Sequence, residues 1–105
     1  MTLEAARAAE RVVVAIAAEN FGFNTETITV PTGAEVMIEF DNRDDGVPHN
    51  VAIYTDSSAA DAIFVGEIVT GPTRATYTLT APETLGNYFF RCDVHPPMHG
   101  AFIVT

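Results

Sequence analysis

Polar and apolar positions alternate along much of this chain with a period of two, the mark of strands with one buried face. In Glu35–Phe40, Val36, Ile38 and Phe40 point one way and Met37 the other. Thr25–Val30 puts Ile28 and Val30 together, and Ala75–Leu79 alternates in the same manner. Val12–Ala18 differs: its apolar run is unbroken, as in a strand covered on both faces. Asn50–Tyr54, Ile63–Val69, Tyr88–Cys92 and Ala101–Val104 complete a set of eight short strands. Pro31-Thr32-Gly33, Gly71-Pro72, Ala81-Pro82 and Gly86-Asn87 supply turns between them. Asp56–Ala62 reads as a loop with room for one helical turn capped by Asp56 or Ser57. Eight short strands so punctuated predict an antiparallel β-sandwich.

Only the beginning breaks the β pattern. Thr2–Arg11 is Ala-rich, with Thr2 as a plausible N-cap and Glu4 in the first turn, where the helix dipole favours an acid. The expected organisation is therefore a helical extension over 1–11 and one domain over 12–105. Ten residues are marginal as a helix in water unless they pack on something. A signal peptide is not expected: Glu4 and Glu10 interrupt the basic region, and no clear cleavage site follows the apolar run. That run is also far too short to cross a bilayer, so no transmembrane segment is expected.

The candidate chemistry is concentrated near the C-terminus. Cys92, the only cysteine, is followed by His95 and Met98 with the spacing C-x2-H-x2-M, and then by His99 and Gly100. Strand alternation puts Tyr88, Phe90 and Cys92 on one face, which turns the thiol inward. Thiolate, imidazole and thioether are soft or borderline donors and suit copper better than magnesium or calcium. A blue-copper site needs one Cys, two His and a weak axial Met. The third histidine of the chain, His49, can supply what the segment lacks. Zinc competes on paper through His49, Cys92, His95 and His99, although Pro96 and Pro97 forbid a regular helix that would bring His95 and His99 together. Met98 and His99 are neighbours in an extended segment, so an inward Met98 sends His99 outward.

Gly46-Val47-Pro48-His49-Asn50, paired with Tyr88-Phe89-Phe90-Arg91-Cys92-Asp93-Val94-His95-Pro96-Pro97-Met98-His99-Gly100, resembles the cupredoxins. The short ligand loop is most similar to the amicyanin kind, and the resemblance covers roughly residues 12–105. It implies an eight-stranded Greek-key β-sandwich and one copper ion, cycling between Cu(I) and Cu(II), on His49, Cys92, His95 and Met98. It also implies that Asn50 ties the two ligand loops together and that electrons pass at the edge of His95; Gly100, free of a Cβ, is expected to allow a sharp turn into the last strand. A monomeric single-electron carrier between a redox protein donor and acceptor, periplasmic or otherwise outside the cytoplasm, is the expected function. Two positions depart from the family: Arg91 stands where plastocyanin has an aromatic residue, and Asp93 where a hydroxyl is common.

Charge and composition narrow the rivals. A net charge of −9, with five arginines and no lysine, excludes a nucleic-acid binder, which needs a basic face. Multicopper enzymes need further histidine-rich centres, and three histidines cannot build a second one. The protein is accordingly not expected to be an enzyme. A copper chaperone or store of the cell envelope remains the alternative.

Overall fold

The computed structural model describes residues 10–105, and every regular element among them is a strand. Eleven strands replace the eight expected: β1 (Arg11–Glu19), β2 (Gly22–Phe23), β3 (Thr27–Val30), β4 (Glu35–Asn42), β5 (Pro48–His49), β6 (Ala52–Tyr54), β7 (Ala62–Val65), β8 (Val69–Thr70), β9 (Thr73–Thr80), β10 (Gly86–Arg91) and β11 (His99–Val104). Most of the expected helix, Thr2–Ala9, lies outside the described residues. Its end is corrected, because Arg11 opens β1 in register with Glu35. Among the described residues, no helix is long and apolar enough to cross a membrane.

One sheet has the order β2-β1-β4-β9, the other β3-β11-β10-β6-β7, and β5 pairs with β8 in a small ribbon. The sandwich is not wholly antiparallel, as a simple Greek-key reading required. β1 runs parallel to β4, and β3 runs parallel to β11. Period-two alternation says which face is buried but carries no strand direction, so nothing in the pattern could have distinguished the two cases.

The alternating strands bury the faces they were expected to bury. Val36, Ile38 and Phe40 of β4 meet Ile28 and Val30 of β3, Phe90 of β10 and Phe102 of β11 in one core. Removing a large apolar side chain of this kind from water stabilises the fold by roughly 1.5–3 kcal/mol. β1 departs from expectation: Ile16, Ala17 and Ala18 are buried, but Val13 is 63% exposed. Val13 pairs with Met37 on the outer face of the sheet, which no other described strand covers at that point.

Three further local readings change. Ile63–Val69 is not one strand but two, separated at Gly66, where a Cβ would lie 2.6 Å from the Val51 carbonyl oxygen and 2.8 Å from the Tyr77 ring. The 56–62 loop holds a turn instead of a helix, with the Asp56 carboxylate accepting from the Ser58 N–H at 2.9 Å. Gly100 lies within β11 and makes no turn. It is required because a Cβ there would sit 2.4 Å from the Glu26 carbonyl oxygen and 2.7 Å from the Phe90 ring.

Candidate metal centre

The paired strands β10 and β11 end at the register pair Arg91–His99, and residues 92–98 form the loop between them. Two backbone hydrogen bonds fold this loop on itself: Cys92 N–H to the Met98 carbonyl and Met98 N–H to the His95 carbonyl, each 2.9 Å. Cys92 and Met98 are buried with the core, and His95 is half-buried. The proline-bearing outer side of the loop, at Pro96 and Pro97, faces solvent.

His49 reaches the same place from β5 and is fully buried. Its Nδ1 stands 3.6 Å from Cys92 Sγ and 3.2 Å from His95 Nδ1, and Sγ is 3.8 Å from His95 Nδ1. A point equidistant from these three atoms lies about 2 Å from each, a metal–imidazole bond length and slightly short of a metal–thiolate one. Three soft or borderline donors that converge this way fit a copper ion by distance and by chemistry. With buried Met98 beside Cys92 in the core, the four residues are arranged as a type 1 copper site. His99 does not join them. It is exposed on β11, its ring 5.5 Å from that of Phe89, which removes the fourth ligand from the zinc alternative.

Asn50 makes the tie between loops that was expected of it. Its Oδ1 accepts from the Asp93 N–H at 2.8 Å, and its Nδ2 donates to the Gly66 carbonyl at 2.9 Å and to Asp93 Oδ2 at 3.3 Å. Asp93, where a hydroxyl was the alternative, also accepts from Tyr54 Oη at 2.5 Å and from Arg91 Nε at 3.0 Å. Burial alone would raise the Asp93 carboxyl, but these donors together outweigh it and hold it below its ordinary value.

Sequence reasoning missed a second group of residues. Asn42, the last residue of β4, and Asp44, in the polar stretch that follows it, are both buried. Asn42 Nδ2 donates to the Val47 and Val69 carbonyls, both at 2.9 Å, and its Oδ1 accepts from the Asp44 N–H at 3.0 Å. The Asp44 carboxylate in turn meets His49 Nε2 at 2.8 Å, the Asn20 N–H at 2.6 Å and the Phe21 N–H at 3.0 Å. The Phe21 N–H chiefly, with His49 and Asn20, holds the Asp44 carboxyl below its usual value against the opposing effect of burial. Asn20 and Phe21 form the two-residue loop between β1 and β2 with φ of 55° and 59°, the positive values a tight hairpin loop requires. The Phe21 ring lies edge-on to His95 at 5.0 Å and to His49 at 5.7 Å, and the residue is 55% exposed. The Asn20-Phe21-Gly22 run was the one available signal for this turn.

The family model that matches this chain is the Cupredoxin-like domain, over residues 1–104. The chain belongs to the cupredoxin-like family. The match begins at residue 1 and so takes in the segment set apart as an extension. Solved structures similar to this cupredoxin include auracyanin A, a "blue" copper protein from Chloroflexus aurantiacus, at 22% identity and a TM-score of 0.80, covering 91% of this chain and all of that one. A sodium-dithionite-reduced auracyanin from Roseiflexus castenholzii has 23% identity and a TM-score of 0.79, with 92% and 99% covered. Amicyanin from Paracoccus versutus is 29% identical with a TM-score of 0.63, covering 89% of this chain and 81% of that one. No curated protein sequence matches the cupredoxin at a significant level.

Proposed function

We propose that this cupredoxin is a single-electron carrier with one type 1 copper ion held by His49, Cys92, His95 and Met98. The observation that carries the reading is the convergence of two imidazole Nδ1 atoms and one thiol sulfur within 3.8 Å of one another, contributed by segments more than forty residues apart. Copper supplies the one-electron couple. The chain supplies a ligand plane fixed by two strands and a hydrogen-bonded loop, so that little ligand movement accompanies electron exchange. Cys92 binds as the thiolate, since a coordinating metal deprotonates a thiol. Met98 would supply a weak thioether donor, which tunes potential more than it holds the ion.

Half-exposed His95, bordered by exposed Phe21, Val94, Pro96 and Pro97, is the route for electrons. An apolar border of this kind suits brief docking of a redox protein donor and then an acceptor, with the carrier itself a monomer outside the cytoplasm. The likeness to the auracyanins and amicyanin supports the same reading. A chaperone or store must surrender its metal readily, and full burial of His49 and Cys92 works against that.

Copper(II) added to the metal-free protein should produce an intense visible band from sulfur-to-copper charge transfer, and Cys92→Ser should abolish it without unfolding the domain. Colour that survives the substitution would show that Cys92 is not a ligand.

A further inference from the structure

We propose that Asp44 is a positioning residue for the metal centre: its buried carboxylate orients His49 through Nε2 and lowers the reduction potential of copper held at Nδ1. Asp44 has this role only if copper sits at His49, as proposed above.

The donor count at Asp44 is the first ground. Three nitrogens from two separate segments converge on it: the Asn20 N–H donates to Oδ1, the Phe21 N–H donates to Oδ2, and His49 Nε2 lies 2.8 Å from Oδ2. An ionised carboxylate is acceptor-only on both oxygens, so it satisfies all three, whereas an amide would turn its own N–H toward one of them. Because that carboxylate cannot donate, the His49 proton must reside on Nε2. Nδ1 is then left unprotonated toward Cys92 and His95, the form a ligand needs.

The support under Asp44 is the second ground. Its N–H is held by Asn42 Oδ1, and its carbonyl accepts from the Val47 N–H at 3.1 Å. Gly71 packs so closely that a Cβ there would lie 2.3 Å from the Asp44 carbonyl oxygen. Asp44 is 9% exposed and His49 fully buried, so neither group can swing away to be solvated separately. A carboxylate behind a ligand imidazole raises the basicity of that ligand. The added negative charge, one ring away from the metal, favours the oxidised, more positive state of the centre.

A role confined to clamping the Asn20–Phe21 turn would leave the potential alone, and this separates the two possibilities. Copper-loaded wild-type and Asp44→Asn proteins are titrated against redox mediators at neutral pH, with the visible band recorded throughout. Both should be coloured, and the Cu(I)/Cu(II) ratio at a fixed solution potential should rise tenfold or more in the variant, which is about 59 mV for one electron. A coloured variant with unchanged potential overturns the role of Asp44 and leaves the copper reading standing. A colourless wild-type protein overturns both. Should Asp44→Asn fail to fold, nitrogen-15 spectra of the wild-type Cu(I) protein decide instead. His49 Nε2 should carry a slowly exchanging proton coupled to the Asp44 carboxylate, and an unprotonated or rapidly exchanging Nε2 overturns the proposal.

Discussion

The two sides of the metal centre are built differently. The His49 side is enclosed: Asn42, Asp44 and Asn50 are buried behind it, and their side chains hold β5, β8 and the neighbouring loops through hydrogen bonds of 2.6–3.3 Å. The Cys92–Met98 side is a short hairpin loop closed by two backbone bonds, with Val94, Pro96 and Pro97 exposed. One side fixes a ligand by a network whose members cannot be solvated if broken. The other presents a ligand edge to whatever approaches, and its rigidity comes from its two backbone bonds, the ties at Asp93 and its prolines. The division suits a carrier, which needs an unmoving centre and an accessible rim.

Breaking the enclosed side should have the largest effect. Asn42→Ala strands the buried Asp44 N–H and removes one hydrogen bond from each of the Val47 and Val69 carbonyls. The abandoned N–H costs roughly 1–3 kcal/mol and each lost bond about 1 kcal/mol, so a loss of about 3 kcal/mol is expected. Thermal melting should fall by about 10–20 °C in a domain of this size. On the rim, Pro97→Ala should cost only about 1 kcal/mol or less, chiefly through freedom gained by the unfolded chain. Equal losses from the two substitutions would show that the sides do not differ as described.

A smaller effect sharpens the same contrast. Tyr77 supports the enclosed side from β9: its ring packs against Gly66, whose carbonyl holds Asn50, and its hydroxyl donates to the Glu67 carbonyl at 2.6 Å. Burial, above all, pushes its hydroxyl up to about 12 from an ordinary value of 10. The fold therefore favours protonated Tyr77, a contribution fully present below pH 10 and lost as pH climbs through about 12. Tyr77→Phe should be less stable by about 1 kcal/mol at neutral pH. Denaturant midpoints measured from pH 9 to 12 should show that deficit shrinking. A constant deficit across the range would mean that the hydroxyl does not titrate as its burial requires.

The same contrast explains what could be read from the sequence. The rim was legible because Cys92, His95 and Met98 are rare donors at close spacing, and the register of Phe90 and Cys92 sets which way the thiol faces. The core face of β4 was legible because alternation reports burial directly. Asn42 and Asp44 were not, since a run of Asp, Asn, Arg and Gly looks solvated until a distant hairpin and β8 close over it. Phe21 was hidden for a related reason: its contact with His95 depends on a turn gripped by a carboxylate twenty-three residues away. Gly66 and Gly100 owe their identity to neighbours brought near only by the packed sheets.

His99 marks where the rim ends, and it should yield the smallest effect. It follows Met98 directly and is the one histidine with no part in the donor cluster. Because neighbouring residues on a strand face opposite ways, burial of Met98 in the core turns His99 to the outside. There its ring rests tilted on Phe89, a contact worth roughly 0.5–1.5 kcal/mol. His99→Ala should lower stability by no more than that and leave the visible band and reduction potential of the copper-loaded protein unchanged. Met98→Leu, one residue away, should move the potential instead, because it replaces a sulfur donor with a side chain that cannot coordinate. Spectroelectrochemistry on the two variants separates the positions, and the opposite pattern would place the axial ligand at His99.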